Sequence, residues 1–126
     1  MTLAITGIYA ATLTGLYLAL SVRVISHRRA HRINLGDGGD PDLTRRMRAH
    51  GNFAEYAPLG LILLGISEMQ GTAPLWLHVL GGMLLAGRLA HGINFTYNLR
   101  LPVLRVGGMM LTFFALGLGA VLVLPL

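Results

Sequence analysis

The chain has 126 residues, 54% of them hydrophobic and 12% charged, with a mean hydropathy of +0.64 and a formal net charge of +5. Soluble domains carry about 25% charged residues, so this composition excludes an ordinary soluble domain and points to a single integral membrane domain over residues 1–126. There is no cysteine, which excludes disulfides, cysteine metal sites and thiol chemistry by the chain itself.

A first transmembrane helix is expected over about residues 2–26, because Met1–Val22 holds no charge and leads into a cationic stretch instead of following one. Residues 27–44 read as a loop: Arg28, Arg29 and Arg32 precede Gly36-Asp37-Gly38-Gly39-Asp40-Pro41-Asp42, and Asp42 or Thr44 is the expected N-cap of the next helix. A second helix is expected over 45–69, polar in its first turns, apolar from Leu59 to Ile66, and kinked at Pro58. A third is expected over 74–98, broken by Leu99-Arg100-Leu101-Pro102, and a fourth over 103–124, without charge after Arg105. The architecture is all-α, a four-helix membrane bundle. Arginines flank the first and third connections and not the second, so the positive-inside rule places those connections in the cytoplasm and both termini outside. The same rule accounts for the basic loop without nucleic acid as a partner.

All ten cations are arginine. That bias fits a GC-rich genome, and it also fits bidentate recognition of carboxylates. Arg48, Asn52, Glu55 and Tyr56 fall at offsets 0, 4, 7 and 8 of the second helix and share a face within roughly a 100° arc. Such a face is either a polar seam between helices or the wall of a ligand site. On the third helix Arg88, His91 and Phe95 share a face. Arg88 lies too deep to snorkel, and Glu55 is the acid at matching depth, so a Glu55–Arg88 contact is expected, direct or through a shared ligand. No metal-ligand spacing is recognised among the histidines, and no metal is expected. A site of arginines, one glutamate, an asparagine and a tyrosine suits a small ligand carrying carboxylates, an amine and amides. Glutathione has that inventory and brings the thiol the chain lacks.

At these residues the chain resembles the MAPEG family, the membrane-associated proteins of eicosanoid and glutathione metabolism. Arg48-Ala49-His50-Gly51-Asn52-Phe53-Ala54-Glu55-Tyr56-Ala57-Pro58 is similar to the R-A-x-x-N-x-x-E-[YT]-x-P signature of the family. Asp40-Pro41-Asp42 is similar to the prostaglandin E synthase branch. Val24–Arg32 is similar to the end of the first helix in leukotriene C synthase, and Arg88-Leu89-Ala90-His91 to the R-x-x-H of the third helix. The resemblance implies a homotrimer that binds glutathione near the cytoplasmic side and acts on a hydrophobic electrophile or hydroperoxide from the lipid, in a bacterial inner membrane. It implies that Arg48, Asn52, Glu55 and Tyr56 hold glutathione, that Arg28 and His50 contact it, and that Arg88 and His91 complete the pocket. Arg105, or failing it Arg100, matches the thiolate-stabilising arginine. Two departures stand out: Phe95 replaces a tyrosine common in enzymatic members, and Arg105 lies about one residue out of register with the prostaglandin branch. They leave a rival reading open, a non-enzymatic membrane subunit that keeps the fold.

Overall fold

In a computed structural model that describes residues 2–125, the chain forms four helices: α1 (Ala4–His31), α2 (Pro41–Met69), α3 (Pro74–Thr96) and α4 (Pro102–Leu122). There is no strand among the described residues. At 1.5 Å per residue even α4, with 21 residues, reaches about 32 Å, the thickness of a bilayer's hydrocarbon core. The outer helices α1 and α4 are apolar enough to cross a membrane on composition alone. The inner helices α2 and α3 carry most of the polar residues of the site, and α4 adds Arg105 and Thr112.

Several boundaries differ from the sequence expectation, α4 for instance running from 102 to 122 and not 103 to 124. Helix α1 continues to His31, well past residue 26, because Arg28, Arg29 and His31 in its last turn complement the partial negative charge of the helix C-terminus. Helix α2 starts at Pro41, before residue 45, and its N-cap is Asp40, not Asp42 or Thr44. Asp40 accepts from the N–H groups of Asp42 and Leu43, while proline at the first helical position needs no N–H partner. Helix α3 stops at Thr96, short of residue 98. Helix α2 runs unbroken through Pro58.

The connection between α1 and α2 is drawn tight by polar contacts. His27 Nε2 lies 2.7 Å from Asp40 Oδ2, Arg28 Nη1 donates to Gly36 O at 2.8 Å, and Thr44 Oγ1 donates to Asp37 Oδ2 at 2.9 Å. The hydrogen bond with His27 holds the Asp40 carboxyl below the usual carboxylate range, and the N–H of Gly39 does the same for Asp37. At the opposite end Glu68 closes α1 onto α2: its carboxylate accepts from Ile5 N at 2.9 Å and Thr6 N at 2.7 Å, two donors the first turn of α1 leaves free.

Helices α2 and α3 form the central pair. Each packs on the other and on both α1 and α4, while α1 and α4 do not meet. The core between them is small and mostly aliphatic, with one aromatic, Phe53: Leu13, Leu20, Ala49, Phe53, Ala57, Leu84 and Ala115 form one cluster, and Leu64, Leu77 and Leu80 a second. The closest approach is between α3 and α4. A Cβ on Gly87 would sit 2.7 Å from Gly108 O, and one on Gly108 would sit 2.8 Å from Gly87 O, so each glycine lets the other's backbone in. That approach brings Thr112 under Arg88.

Candidate functional site

Three helices build one cavity at the end of the bundle that carries the first and third connections. Helix α2 contributes Met47, Arg48, Gly51, Asn52 and Glu55, α3 contributes His91 and Phe95, and α4 contributes Arg105 and Met109. The cavity measures about 510 Å³, within the range of roughly 300–1,000 Å³ usual for small-molecule sites. Helical periodicity puts the α2 residues on one wall, and the absence of a side chain at Gly51 leaves open space between Arg48 and Glu55.

Beneath this wall lies Arg88, 2% exposed. Its guanidinium donates to the side-chain oxygen of Asn52. It also donates through Nε and Nη2 to Thr112 Oγ1, at 3.1 and 2.9 Å, and approaches Met109 Sδ at 3.2 Å. Thr112 in turn donates to Gly108 O at 2.8 Å. The ring of Tyr56 covers the guanidinium at 5.6 Å and rests on Phe113. The expected direct Glu55–Arg88 pair is absent: the ion pairs among the described residues do not include either residue. The amide oxygen of Asn52 and the hydroxyl of Thr112 satisfy the arginine instead, and Glu55 points its carboxylate at the exposed wall of the cavity. Charge counting missed this because neutral amide and hydroxyl oxygens can also accept from a guanidinium.

His91 is 5% exposed and stacks on Phe95 with ring centroids 4.7 Å apart. Phe95 and Arg105 also line a second cavity of about 470 Å³, with Arg45, Asn94, Asn98 and Arg100. The connector that bears Arg100 is held by buried Asn94, whose side-chain oxygen accepts from Leu101 N at 3.0 Å. Arg100 itself is left-handed, at φ 53, a conformation that costs a non-glycine residue roughly 1–2 kcal/mol.

The sequence-derived residues therefore separate. Arg48, Asn52, Glu55, His91 and Arg105 surround one space; Arg88 and Tyr56 form the layer behind it; Arg100 sits in the neighbouring cavity. Arg28 reaches the edge of the site only through Met47, whose sulfur lies 3.4 Å from its Nη2. His50 faces away, toward α1, where it stacks on Tyr17 at 4.9 Å and lies 3.0 Å from Ser21 Oγ. Thr112 and Asn94 had not been singled out. A threonine in the middle of an otherwise apolar α4 was the available signal for Thr112.

The donor set can be matched to a ligand by chemistry. Two arginines and one acid face the space, the acid pairs with no cation among the described residues, and Asn52 keeps its amide N–H groups free of the Arg88 bond, since Arg88 takes only its oxygens. That donor set is complementary to the groups of a zwitterionic, peptide-like molecule, and the groups of glutathione fit it.

Fold and site together define a four-helix integral membrane protein with a polar cavity opening between its central and outer helices. Comparison with known proteins identifies the group: the MAPEG family profile matches residues 6–124, and the chain belongs to that family. It is 37% identical over 112 residues, 89% of this chain and 84% of the relative, to the inner membrane protein YecN of Escherichia coli K12, and equally to YecN of E. coli O6:H1.

Proposed function

We propose that the α2–α3–α4 cavity binds glutathione and that the protein is a glutathione-dependent transferase or peroxidase acting on a hydrophobic electrophile or hydroperoxide drawn from the bilayer. The observation that carries this reading is the placement of Arg48, Glu55 and Arg105 around one cavity with Glu55 left without an internal cation. Glutathione supplies a thiol nucleophile when bound. Arg48 would take a carboxylate, Glu55 the ammonium, and the free amide N–H groups of Asn52 a peptide carbonyl. Arg105 stands at the start of α4 in both cavities, and a guanidinium there favours the ionised form of a nearby thiol. Arg100 is the second candidate for that role. Arg88, Thr112 and Tyr56 keep Asn52 in place from behind. Fixing both reactants in one geometry supplies much of the rate in such a site.

The proposal extends to a homotrimer in the inner membrane with the cavity toward the cytoplasm and both termini outside. The broad apolar faces left by the lack of contact between α1 and α4, including Phe113 and Phe114, suit lipid and neighbouring copies. Conjugation of a generic aryl halide by the purified protein tests the activity: turnover supports it, and absence of turnover with glutathione bound overturns it. One observation favours the non-enzymatic rival, the stacking of Phe95 on His91 where enzymatic relatives carry a hydroxyl. Absence of glutathione binding, with loss of the trimer in Glu55→Gln, would support that rival.

A further inference from the structure

Away from the cavity, the end of α1 and the start of α2 bring together two histidines and an aspartate that the proposed chemistry does not use. His27 and His31 are one turn apart, their rings stacked with centroids 4.0 Å apart. Because α1 continues to His31, both lie on one helical face, and the fold carries Asp40 across the connection to meet them. One ligand atom from each of the three lies within 4.8 Å of the others. His27 Nε2 and Asp40 Oδ2 are already 2.7 Å apart. These separations bracket the ~3.3 Å that donor atoms keep from one another on a tetrahedral ion with ligand bonds of about 2.0–2.1 Å.

The groups around the three residues orient them. Nε2 of His27 lies 2.7 Å from Asp40 Oδ2 and its Nδ1 lies 3.2 Å from Asp42 Oδ2, so both ring nitrogens face carboxylates. Nδ1 of His31 lies 3.0 Å from the carbonyl of His27, which only accepts, so that nitrogen carries the proton and Nε2 keeps its lone pair. Carboxylate or carbonyl partners on the far nitrogen are what metal-ligating histidines require. Asp40 is fixed too: Oδ1 accepts from Asp42 N at 2.9 Å and Leu43 N at 3.3 Å as the cap of α2, and Oδ2 is the oxygen turned toward His27. Two nearby cations face Asp42. Arg45 pairs with Asp42, and Arg46 Nε lies 3.3 Å from the other oxygen of the same carboxylate. His27 is 8% exposed whereas His31 is exposed, so a bound ion would have one buried ligand and an open side.

We propose that His27, His31 and Asp40 form a binding site for a divalent transition-metal ion, Zn²⁺ by its donor set, that clasps the C-terminus of α1 to the N-terminus of α2. Two imidazoles and one carboxylate with an open fourth position suit Zn²⁺. Without the ion, a hydrogen bond joins His27 Nε2 and Asp40 Oδ2 across the same gap, and the ion would take its place. The clasp lies beside Arg28, which touches Met47 at the margin of the cavity, so the ion also stiffens that margin.

The test uses the full-length protein in detergent, without a histidine tag, competing with a chromogenic chelator for Zn²⁺, with Co²⁺ as a spectroscopic substitute. The expected result is one Zn²⁺ per chain and visible Co²⁺ bands of tetrahedral intensity. His31→Ala should weaken binding by roughly tenfold or more. Asp40→Asn keeps a capping side chain and should also weaken binding. If His31→Ala loses helicity, His31→Gln at the same exposed position replaces it. Failure of the wild type to compete for one equivalent of Zn²⁺ overturns the site, as does wild-type affinity in a folded His31 variant.

Discussion

The side-chain oxygen of Asn52 accepts a hydrogen bond from the guanidinium of Arg88, so the amide on α2 is the partner of the buried cation on α3. Thr112 of α4 completes the arrangement. One arginine thus ties the three helices that form the cavity, and it does so without a carboxylate. Asn52 thus serves the fold through its side-chain oxygen, while Glu55 on the same α2 face pairs with no cation among the described residues.

Removing Asn52 should destabilise the fold. Asn52→Leu leaves a buried guanidinium N–H without its acceptor, at a cost of about 1–3 kcal/mol. The melting temperature in detergent should fall, and a double-mutant cycle with Arg88→Met should show coupling between the two positions. Additive effects would contradict the bond.

Glu55 should behave in the opposite way. It is exposed on the cavity wall and pairs with no cation among the described residues. Glu55→Gln should leave stability within about 0.5 kcal/mol while lowering glutathione affinity. A large drop in melting temperature with unchanged affinity would mean that the residue is structural.

The glycine contact between α3 and α4 makes a third prediction. A Cβ at Gly87 would lie 2.7 Å from both Gly108 O and Thr112 Oγ1, so Gly87→Ala must push α4 outward. The expected cost is about 1–3 kcal/mol. Gly51→Ala meets nothing within 4 Å and should raise stability, by about 0.5–1 kcal/mol of helix propensity, which makes it the control.

Arg105→Met should lower the rate of conjugation by roughly 10²-fold, the scale on which a charge-stabilising donor contributes. Without the guanidinium a neighbouring thiol ionises at higher pH, so the acidic limb of the pH–rate profile should move upward. A slower enzyme with an unmoved profile would assign Arg105 to positioning alone.

Much of this was legible in the chain. Helical spacing alone puts Arg48, Asn52 and Glu55 on one face, and the long uncharged stretches up to Val22 and after Arg105 mark the outer helices. The partner of Arg88 was not legible, because Thr112 lies on another helix and meets it only through the Gly87–Gly108 approach. His50 falls inside the most distinctive motif, yet helix geometry turns it to Ser21 and Tyr17 on α1. The histidine pair on α1 was hidden by reading its last cationic turn as loop. Arginines there stabilise the helix terminus, and the extra turn is what aligns His27 with His31.

Titration calorimetry of glutathione into the detergent-solubilised protein tests the central claim, comparing wild type with Arg48→Met, Glu55→Gln and His50→Ala. Saturable binding by the wild type is predicted, weakened by about tenfold or more when the charge-assisted contact of Arg48 or Glu55 is lost and little changed at His50. No saturable heat in the wild type, or equal affinity in all four proteins, would contradict the account.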